Sequence, residues 1–239
     1  MRTRTWIGND VVDLGESGVA GKERDRRFME RVFTPEERRR ILDAAEPTLA
    51  LWRAWSAKET AFKVASKLRE GVVFAHRRFE VGPEMTGAPG AGDQAPRRWA
   101  SVWFEDLEVQ VRWETARDYI HCIGRLARCG GEVAPADPGS RGLARRLLAG
   151  IASDSRGFGG TLSLAERASV HSTPSERARL LARELMARWD LHGAEIVRMW
   201  RAWRWSPPVV ARLGEPVAGF DVSLSHDGRF VAAALVGPV

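Results

Sequence analysis

The sequence is poor in cysteine and lacks the segments that direct a protein to a membrane or out of the cell. Among its 239 residues are two cysteines, Cys122 and Cys129, with no C-x-x-C pair. A disulfide framework is therefore not expected, and cysteine-rich zinc sites are excluded. The basic N-terminus has no apolar segment of a signal peptide, and no apolar run is long enough to span a bilayer. We expect a soluble cytoplasmic protein.

The sequence also lacks the usual glycine-rich phosphate-binding motifs. Residues 82–96 are rich in Gly, Pro and Ala, but they contain neither a G-x-G-x-x-G motif after a strand nor a Walker motif. What the chain has in excess is positive charge, with 37 Lys and Arg against 31 Asp and Glu, a formal net charge of +6 and a pI of about 10.1. This excess favours an acidic partner, which can be nucleic acid, an anionic membrane or an acidic protein.

Composition divides the chain into two lobes. A hydrophobic content of 44% allows one large core or two smaller ones. Residues 131–160 are rich in Gly and Pro around a short basic helix predicted at 143–151, so we interpret them as a linker. The predicted lobes are residues 1–130 and residues 161–239.

Periodic patterns predict the helices and strands of these lobes. Helical spacing is clear over residues 52–63 and in the amphipathic segment 175–189, and Thr34 and Glu37 form a capping box that starts another helix. Alternating or continuous apolar residues predict strands at 6–14, 71–81, 102–113, 119–126 and 196–205, and a hairpin at 220–236 around Asp227-Gly228.

Glu59 and Lys63 are the first candidate functional residues. They lie four residues apart on the helix predicted at 52–63, and therefore one turn apart on the same face. The carboxylate can hold a cation, and the ammonium can hold phosphate oxygens. Taken alone, the pair is better explained as an ordinary surface ion pair, which is common on helices.

Asp10 stands inside an apolar strand, where a carboxylate is costly unless it is paired or coordinated. It shares one face of the strand with Val12, whereas Val11 and Asp13 share the other. Before its neighbours are considered, the residue fits equally well as a metal ligand and as the cap of a nearby turn.

Ser225 and His226 lie at the lip of the C-terminal hairpin. Together with Asp227 they are adjacent in a strand, so their side chains cannot align as a hydrolase triad. A hydroxyl and an imidazole at a strand end can instead bind a phosphate, although a lone histidine is more often structural. His121, inside another predicted strand, is interpreted as a core histidine.

Arginine-rich segments follow in the second half. Residues 196–205 interleave Arg with Trp, a pattern that can stack bases and neutralise phosphates. We favour a strand with its tryptophans in the core and its arginines outside, because no nucleic-acid motif accompanies it. On the helix at 175–189 one or two arginines can reach an anionic ligand, and the set comprises Arg177, Arg179, Arg183 and Arg188.

Three stretches taken together resemble the 4′-phosphopantetheinyl transferase superfamily. They are G-N-D-V-V-D-L at residues 8–14, W-S-A-K-E-T-A-F-K at 55–63 and V-S-L-S-H-D-G at 222–228. They look like the family's G-x-D strand, W-x-x-K-E-x-x-x-K helix and S-x-S-H hairpin, and F-T-P-E-E at 33–37 is similar to its F-T-x-x-E segment. The resemblance implies an α+β fold of two similar lobes, each an antiparallel sheet packed on helices, related by a pseudo-two-fold axis.

The order of the motifs is that of the small holo-acyl-carrier-protein synthases, but this chain is much longer. Its C-terminal part looks like the first lobe of the larger, surfactin-synthetase-activating type, and residues 6–126 look like the second lobe. The chain therefore resembles a circular permutation of the two-lobe enzyme, in which the last strand runs close to the first. Such a chain should be an active monomer. The rival interpretation is a subunit of a small-type trimer with a long insertion.

The resemblance implies transfer of 4′-phosphopantetheine from coenzyme A to a serine of an acidic apo acyl or peptidyl carrier protein. Asp10 and Glu59 are the implied ligands of Mg²⁺, with Mn²⁺ as an alternative, and Glu59 is also the implied base for the serine hydroxyl. Lys63 is implied to bind the pyrophosphate and to stabilise the charge that develops there. The residues implied to bind the 3′-phosphate are Ser225 and His226, with Arg183 and Arg177 as weaker candidates.

Two departures from the family pattern keep other interpretations open. Val12 stands where larger members often carry a third acidic ligand, and Ser206-Pro207-Pro208 replaces a G-K-P segment without its lysine, for which Arg204 or Arg212 could compensate. The alternative function is therefore a non-catalytic homologue that binds coenzyme A or a carrier protein. A nucleic-acid-binding protein, suggested by the pI and the Arg/Trp segment, is the third interpretation and the one we favour least.

Overall fold

The computed structural model describes residues 4–87, 97–129, 132–135, 145–153, 156–201 and 204–238. These residues form a mixed α+β fold with antiparallel sheets, as predicted. No helix among them is both long and apolar enough to cross a bilayer. Helices α1 to α5 span Arg26–Val32, Pro35–Leu42, Pro47–Leu68, Leu164–Arg167 and Thr173–Ala187, and 3-10 turns lie at Lys22–Arg24 and His76–Arg78.

The larger sheet is built by the first half of the chain. Its strands β1 to β7 span Arg4–Asp13, Glu80–Val81, Met85–Gly87, Arg97–Phe104, Leu107–Thr115, Tyr119–Cys129 and Glu132–Pro135. Their spatial order is β1-β6-β5-β4-β2, with β3 beside β4 and β7 beside β6. Among the described strands β1 pairs only with β6, so the other side of β1 is a free edge of the sheet.

Three smaller sheets are built by the second half. Strands β8 to β15 span Arg145–Ser153, Glu195–Val197, Trp200–Arg201, Arg204–Trp205, Val209–Arg212, Glu215–Pro216, Asp221–Asp227 and Phe230–Pro238. The sheet of order β14-β15-β8 packs on α5, and Leu181, Leu185 and Met186 form the buried apolar side of this amphipathic helix. The predicted C-terminal hairpin is formed by β14 and β15.

Helix α3 packs on the face of the larger sheet and brings its central turns very close to β1. Ala57, Ala61 and Val64 are fully buried there. A Cβ atom added at Gly8 of β1 would lie 2.2 Å from the carbonyl oxygen of Thr60, so only glycine allows this approach. The contact fixes the part of α3 that follows Thr60 directly over the middle of β1.

The opposite face of β1 is covered by the C-terminal strand. Ile7 packs with Val236, and Val11 packs with Phe230, so β1 and β15 run in opposite directions against each other. This confirms the prediction that the last strand of the chain runs close to the first.

The helix predicted at 143–151 is wrong over residues 145–151, which lie in strand β8, and residues 143–144 lie outside the described residues. Residues from Arg145 to Ser153 pair along the whole of β15. A segment rich in Leu, Ala and Arg has a high helix propensity, but propensity is a weak preference, and here the backbone groups of β15 supply partners for a strand. Part of the predicted linker 131–160 therefore completes the second sheet, while the division into lobes 1–130 and 161–239 stays a prediction.

The strand predicted at 71–81 is also wrong for most of its length. It contains the 3-10 turn His76–Arg78, and only Glu80–Val81 pairs within the sheet. The fully buried ammonium of Lys58 accounts for the difference, because two carbonyl groups of this segment accept hydrogen bonds from it. The segment therefore wraps around a charge instead of extending along the sheet.

Glu37 balances that buried ammonium. Both of its carboxylate oxygens accept from Lys58, at 2.7 and 2.8 Å. The predicted capping box with Thr34 is confirmed, and the same carboxylate also accepts from the backbone of Val81. One side chain thus joins α2, α3 and β2.

The Arg/Trp segment at 196–205 differs from its prediction in two ways. It is broken into the short strands β9, β10 and β11. The side chain of Trp200 is 56% exposed, whereas Arg198 is half-buried and donates to the carbonyl of Ser206 at 2.6 Å. The expected arrangement, with tryptophans inside and arginines outside, is therefore reversed at these two positions.

Candidate active site

In the described part of the chain, the backbone N–H groups at the free edge of β1 bond to side chains of β14, not to the backbone of another strand. Every second N–H group of β1 donates to an oxygen-bearing side chain of β14, always at the same sequence separation of 214 residues. We call this row of bonds the seam. It holds β1 and β14 side by side, parallel and in one register. The donors and acceptors are Ile7 N and Asp221 Oδ2 (2.7 Å), Asn9 N and Ser223 Oγ (2.9 Å), Val11 N and Ser225 Oγ (3.2 Å), and Asp13 N and Asp227 Oδ2 (2.8 Å).

Two lysines of α3 bind carbonyl groups at the same edge. Lys63 donates to the carbonyl of Asn9 at 2.8 Å, and Lys67 donates to that of Ile7 at 2.6 Å. Lys67 also forms a buried ion pair with Asp221 of β14, at 2.9 Å. Helix α3 and strands β1 and β14 therefore meet along one line, which brings residues from both ends of the chain together.

Asp10 lies where α3, β1 and β14 meet. Its Oδ1 accepts from Lys63 Nζ and from Ser225 Oγ, both at 2.9 Å, and the residue is only 7% exposed. Glu59 lines the same cavity one helical turn before Lys63. We call Asp10, Glu59, Lys63 and Ser225 the Asp10 cluster. The structure thus brings together four candidate residues from three separate motifs.

The pKa of Glu59 is raised to about 7, chiefly by burial and next by the neighbouring Asp10 carboxylate, while Lys63 opposes the shift. A carboxyl group with a pKa near neutrality can take up and release a proton at pH 7. Its crowding against a second carboxylate is also a situation that a bound cation relieves, because an opposite charge favours the ionised form.

Two connected cavities meet at the Asp10 cluster. The first has a volume of about 730 Å³ and contains all four residues of the cluster. The second has a volume of about 440 Å³. Lys63, Leu224 and His226 line both cavities, so the two form one groove. Trp52 and Trp55 also line the first cavity. Volumes of this size are typical of sites for small molecules and cofactors.

Basic side chains line the second cavity. Arg179 is 2% exposed, and its guanidinium donates to the hydroxyl groups of Ser175 (2.7 Å) and Ser169 (2.8 Å). Arg198 enters the same cavity and is fixed through the carbonyl of Ser206. Burial lowers the pKa of both arginines without removing their charge, since an arginine stays protonated in proteins. The second cavity is therefore suited to an anion.

The histidines of the site have different environments. His226 lies at the junction of the cavities, with its ring centroid 5.7 Å from that of His171, and its pKa is lowered chiefly by burial and next by His171. An anion bound beside it would favour the protonated ring. His121 is fully buried with its pKa lowered to about 3, and its Nε2 lies 3.2 Å from Asn9 Nδ2. It is the predicted core histidine.

The two arginines predicted on α5 are placed less favourably. Arg183 donates to the carbonyl of Thr161 at 2.7 Å, and neither it nor Arg177 is among the described residues that line the two cavities. Arg179 lies between them in the sequence and does line the second cavity. The available signal was Ser175, one turn before Arg179, because a buried hydroxyl at that spacing can hold a guanidinium on the inner face of the helix.

The donor set of the Asp10 cluster fits Mg²⁺ or Mn²⁺. Asp10 and Glu59 provide two carboxylates. No group of three or more His, Cys, Asp and Glu converges anywhere in the part of the chain that the structure describes, so the protein would supply two ligands at this site. Mg²⁺ is commonly held by one or two carboxylates, with substrate phosphates and water completing its shell. Both described partners of Asp10 use Oδ1, which leaves Oδ2 for a cation.

Comparisons with known proteins agree with the motifs of the first half. Residues 7–123 match a sequence model of the 4′-phosphopantetheinyl transferase superfamily. This segment includes Asp10, Glu59 and Lys63 and ends before the hairpin that carries His226.

Two individual proteins also resemble the chain. The fatty acid synthase subunit alpha of Candida parapsilosis is 32% identical over 83 residues, which are 35% of this chain and 4% of that protein, so the chain spans a small fraction of this relative. The holo-[acyl-carrier-protein] synthase of Neisseria meningitidis aligns with 50% of this chain and 95% of its own, at 15% identity and a TM-score of 0.33.

Proposed function

We propose that the chain transfers 4′-phosphopantetheine from coenzyme A to a serine of an apo carrier protein, because residues 7–123 match a sequence model of the 4′-phosphopantetheinyl transferase superfamily. The observation that carries the proposal is the Asp10 cluster at the junction of two cavities, with paired carboxylates in one and guanidinium groups in the other. Coenzyme A has the matching chemistry, since its pyrophosphate lies between a phosphorylated adenosine and a pantetheine arm.

The placement of coenzyme A follows from charge. The second cavity, with Arg179, Arg198 and His226, would hold the 3′-phosphate. The pyrophosphate would then lie at Lys63, which lines both cavities, and the pantetheine arm would extend along the tryptophan-lined side of the first cavity. Arg198 would provide the positive charge that the missing family lysine provides elsewhere, because it is fixed to the backbone of the Ser206 segment.

Each residue of the Asp10 cluster has a chemical role in this proposal. Asp10 and Glu59 would hold Mg²⁺ or Mn²⁺, which when bound neutralises charge on the pyrophosphate. Lys63 adds a second positive charge at the same phosphates. Glu59 accepts the proton of the carrier serine as its oxygen forms a bond to the phosphorus that bears pantetheine, and the bond from this phosphorus to the bridging oxygen breaks. The adenosine bisphosphate leaves with that oxygen.

The partner is proposed to be an acidic acyl or peptidyl carrier protein. A net charge of +6 favours association with an acidic protein, and the similarity to a fatty acid synthase subunit favours an acyl carrier. A monomer in the cytoplasm, without nucleic-acid or membrane partners, is part of the same proposal.

The test is to incubate the protein with Mg²⁺, coenzyme A and several apo carrier proteins and to weigh the carriers by mass spectrometry. We expect a gain of one phosphopantetheine, and a rate about 10²–10⁴-fold lower for Glu59→Gln, because the general base is lost. Glu215→Gln, the same change at an exposed position of β13, is the control and should keep the native rate. Binding of coenzyme A without a mass gain on any carrier would contradict catalysis and favour the non-catalytic alternative.

A further inference from the structure

The hydroxyl group of Ser225 has a fixed direction in the structure. Its oxygen accepts the N–H of Val11 within the seam at 3.2 Å, and its proton is donated to Asp10 Oδ1 at 2.9 Å. A serine hydroxyl has one proton to donate, so Ser225 cannot also donate to a phosphate without releasing Asp10.

We propose that Ser225 is a positioning residue that orients the Asp10 carboxylate for a divalent cation, in place of the phosphate-binding role expected from the sequence. With Lys63 and Ser225 both bonded to Oδ1, the carboxylate is held in one rotation and its Oδ2 is left for the cation. Since Ser225 is itself fixed to β1 by the seam, the register between the two sheets sets the geometry of a metal ligand. This inference rests on the proposed function for the presence of the cation.

Ser223 is a matched comparison within the same strand. It is also buried, at 2% exposure, and its Oγ accepts the N–H of Asn9 at 2.9 Å, so Ser223→Ala removes the same kind of seam bond. It is not bonded to Asp10 in the described structure. A purely structural role for these serines predicts similar effects of the two substitutions, whereas the positioning role predicts a difference in cation affinity.

The experiment measures Mn²⁺ affinity by calorimetry, and separately the affinities for coenzyme A and 3′-dephospho-coenzyme A without metal, in both variants. Ser225→Ala should weaken Mn²⁺ binding about 10-fold or more, because loss of a group that orients a metal ligand typically costs 10–100-fold. It should leave the preference for coenzyme A over its dephospho form unchanged. Ser223→Ala should keep native Mn²⁺ affinity, and Ser225→Thr, which retains the hydroxyl, should restore most of it.

Two results would overturn the proposal. One is native Mn²⁺ affinity in Ser225→Ala, and the other is a selective loss of affinity for coenzyme A over the dephospho form, which would assign Ser225 to the 3′-phosphate. Should Ser225→Ala not fold, Ser225→Cys keeps a similar volume with a much weaker donor and gives the same comparison. If the native protein binds neither Mn²⁺ nor coenzyme A, the proposed function itself fails, and the inference fails with it.

Discussion

At the scale of single residues, Asp13 shows how a charge is buried at the end of β1. Its side chain is fully buried, and Arg229 of the β14–β15 turn donates to it from the backbone at 2.9 Å and from the guanidinium at 2.8 and 2.5 Å. The pKa of Asp13 is lowered to about 2, chiefly by the side-chain hydrogen bond from Arg229. Folding therefore stabilises the ionised form of Asp13 relative to its protonated form.

Asp13→Asn should lower the free energy of unfolding at pH 7 by about 1–2 kcal/mol. A pKa shift of one unit corresponds to about 1.4 kcal/mol of unfolding free energy. We expect less than this full amount because the Arg229 side chain is 54% exposed, so that solvent screens its interaction with Asp13. The contribution is complete above the ordinary carboxyl pKa of about 4 and is lost as the pH falls toward 2.

The measurement is urea denaturation of both proteins between pH 7 and pH 2.5. The stability difference should be constant at high pH and shrink below about pH 4. Asp190→Asn, at a side chain that is 97% exposed, is the control and should change stability by no more than about 0.5 kcal/mol. A difference that stays constant down to the lowest pH would contradict the account.

Some residues of the site can be recognised from short stretches of sequence, whereas others can be recognised only from contacts between distant parts of the chain. Asp10, Glu59, Lys63 and His226 lie in short motifs that can be recognised without knowing the fold. Arg179 lies in no such motif, and Ser175 one turn before it is the only local signal that sets it apart from the other arginines of α5. Its selection depends on Ser169, a hydroxyl from outside the helix, and such a partner is known only when the packing is known.

At the scale of elements, the contact between β1 and α3 sets the distance between the carboxylates. Gly8 lies against the carbonyl of Thr60, which is the residue after Glu59. Anything that separates the helix from the strand at this point moves Glu59 and Lys63 away from Asp10. One methyl group added at Gly8 should therefore change the geometry of the Asp10 cluster.

Gly8→Ala should destabilise the fold by about 1–3 kcal/mol, because the added Cβ would stand 2.2 Å from a backbone oxygen and the helix must shift. It should also lower the transfer rate more than the loss of folded protein explains. Gly157→Ala, where the added Cβ meets nothing within 4 Å, is the control. Denaturation and the carrier mass assay measure the two effects, and native values for both in Gly8→Ala would show that α3 does not depend on this contact.

The sequence predicts well those elements whose apolar periodicity or turn residues lie entirely within their own residues. β1, α3, α5 and the β14–β15 hairpin belong to this group. β8 was missed because its pairing partner β15 lies more than 70 residues later, and its composition alone favours a helix. The seam was missed for a similar reason, although oxygen-bearing side chains at alternate positions of β14 are visible in the sequence: Asp221, Ser223, Ser225 and Asp227.

At the scale of the whole molecule, residues from both ends of the chain line one groove. Asp10, Glu59 and Lys63 come from β1 and α3, and Ser225 and His226 come from β14, which the seam fixes beside β1. This arrangement favours the permuted two-lobe interpretation over a subunit of a trimer, because the hairpin completes the site of its own chain.

A mixing experiment tests that arrangement and the proposed activity together. Glu59→Gln removes the proposed base from α3, and His226→Ala removes the proposed phosphate ligand from β14. Each variant alone should transfer little or no phosphopantetheine to the carrier, and native protein should transfer it readily. If every site is formed within one chain, no site in the mixture contains both native residues, and the mixed variants should remain as inactive as each variant alone. Activity restored by mixing would contradict the account, because it would mean that the hairpin of one chain completes the carboxylate site of another.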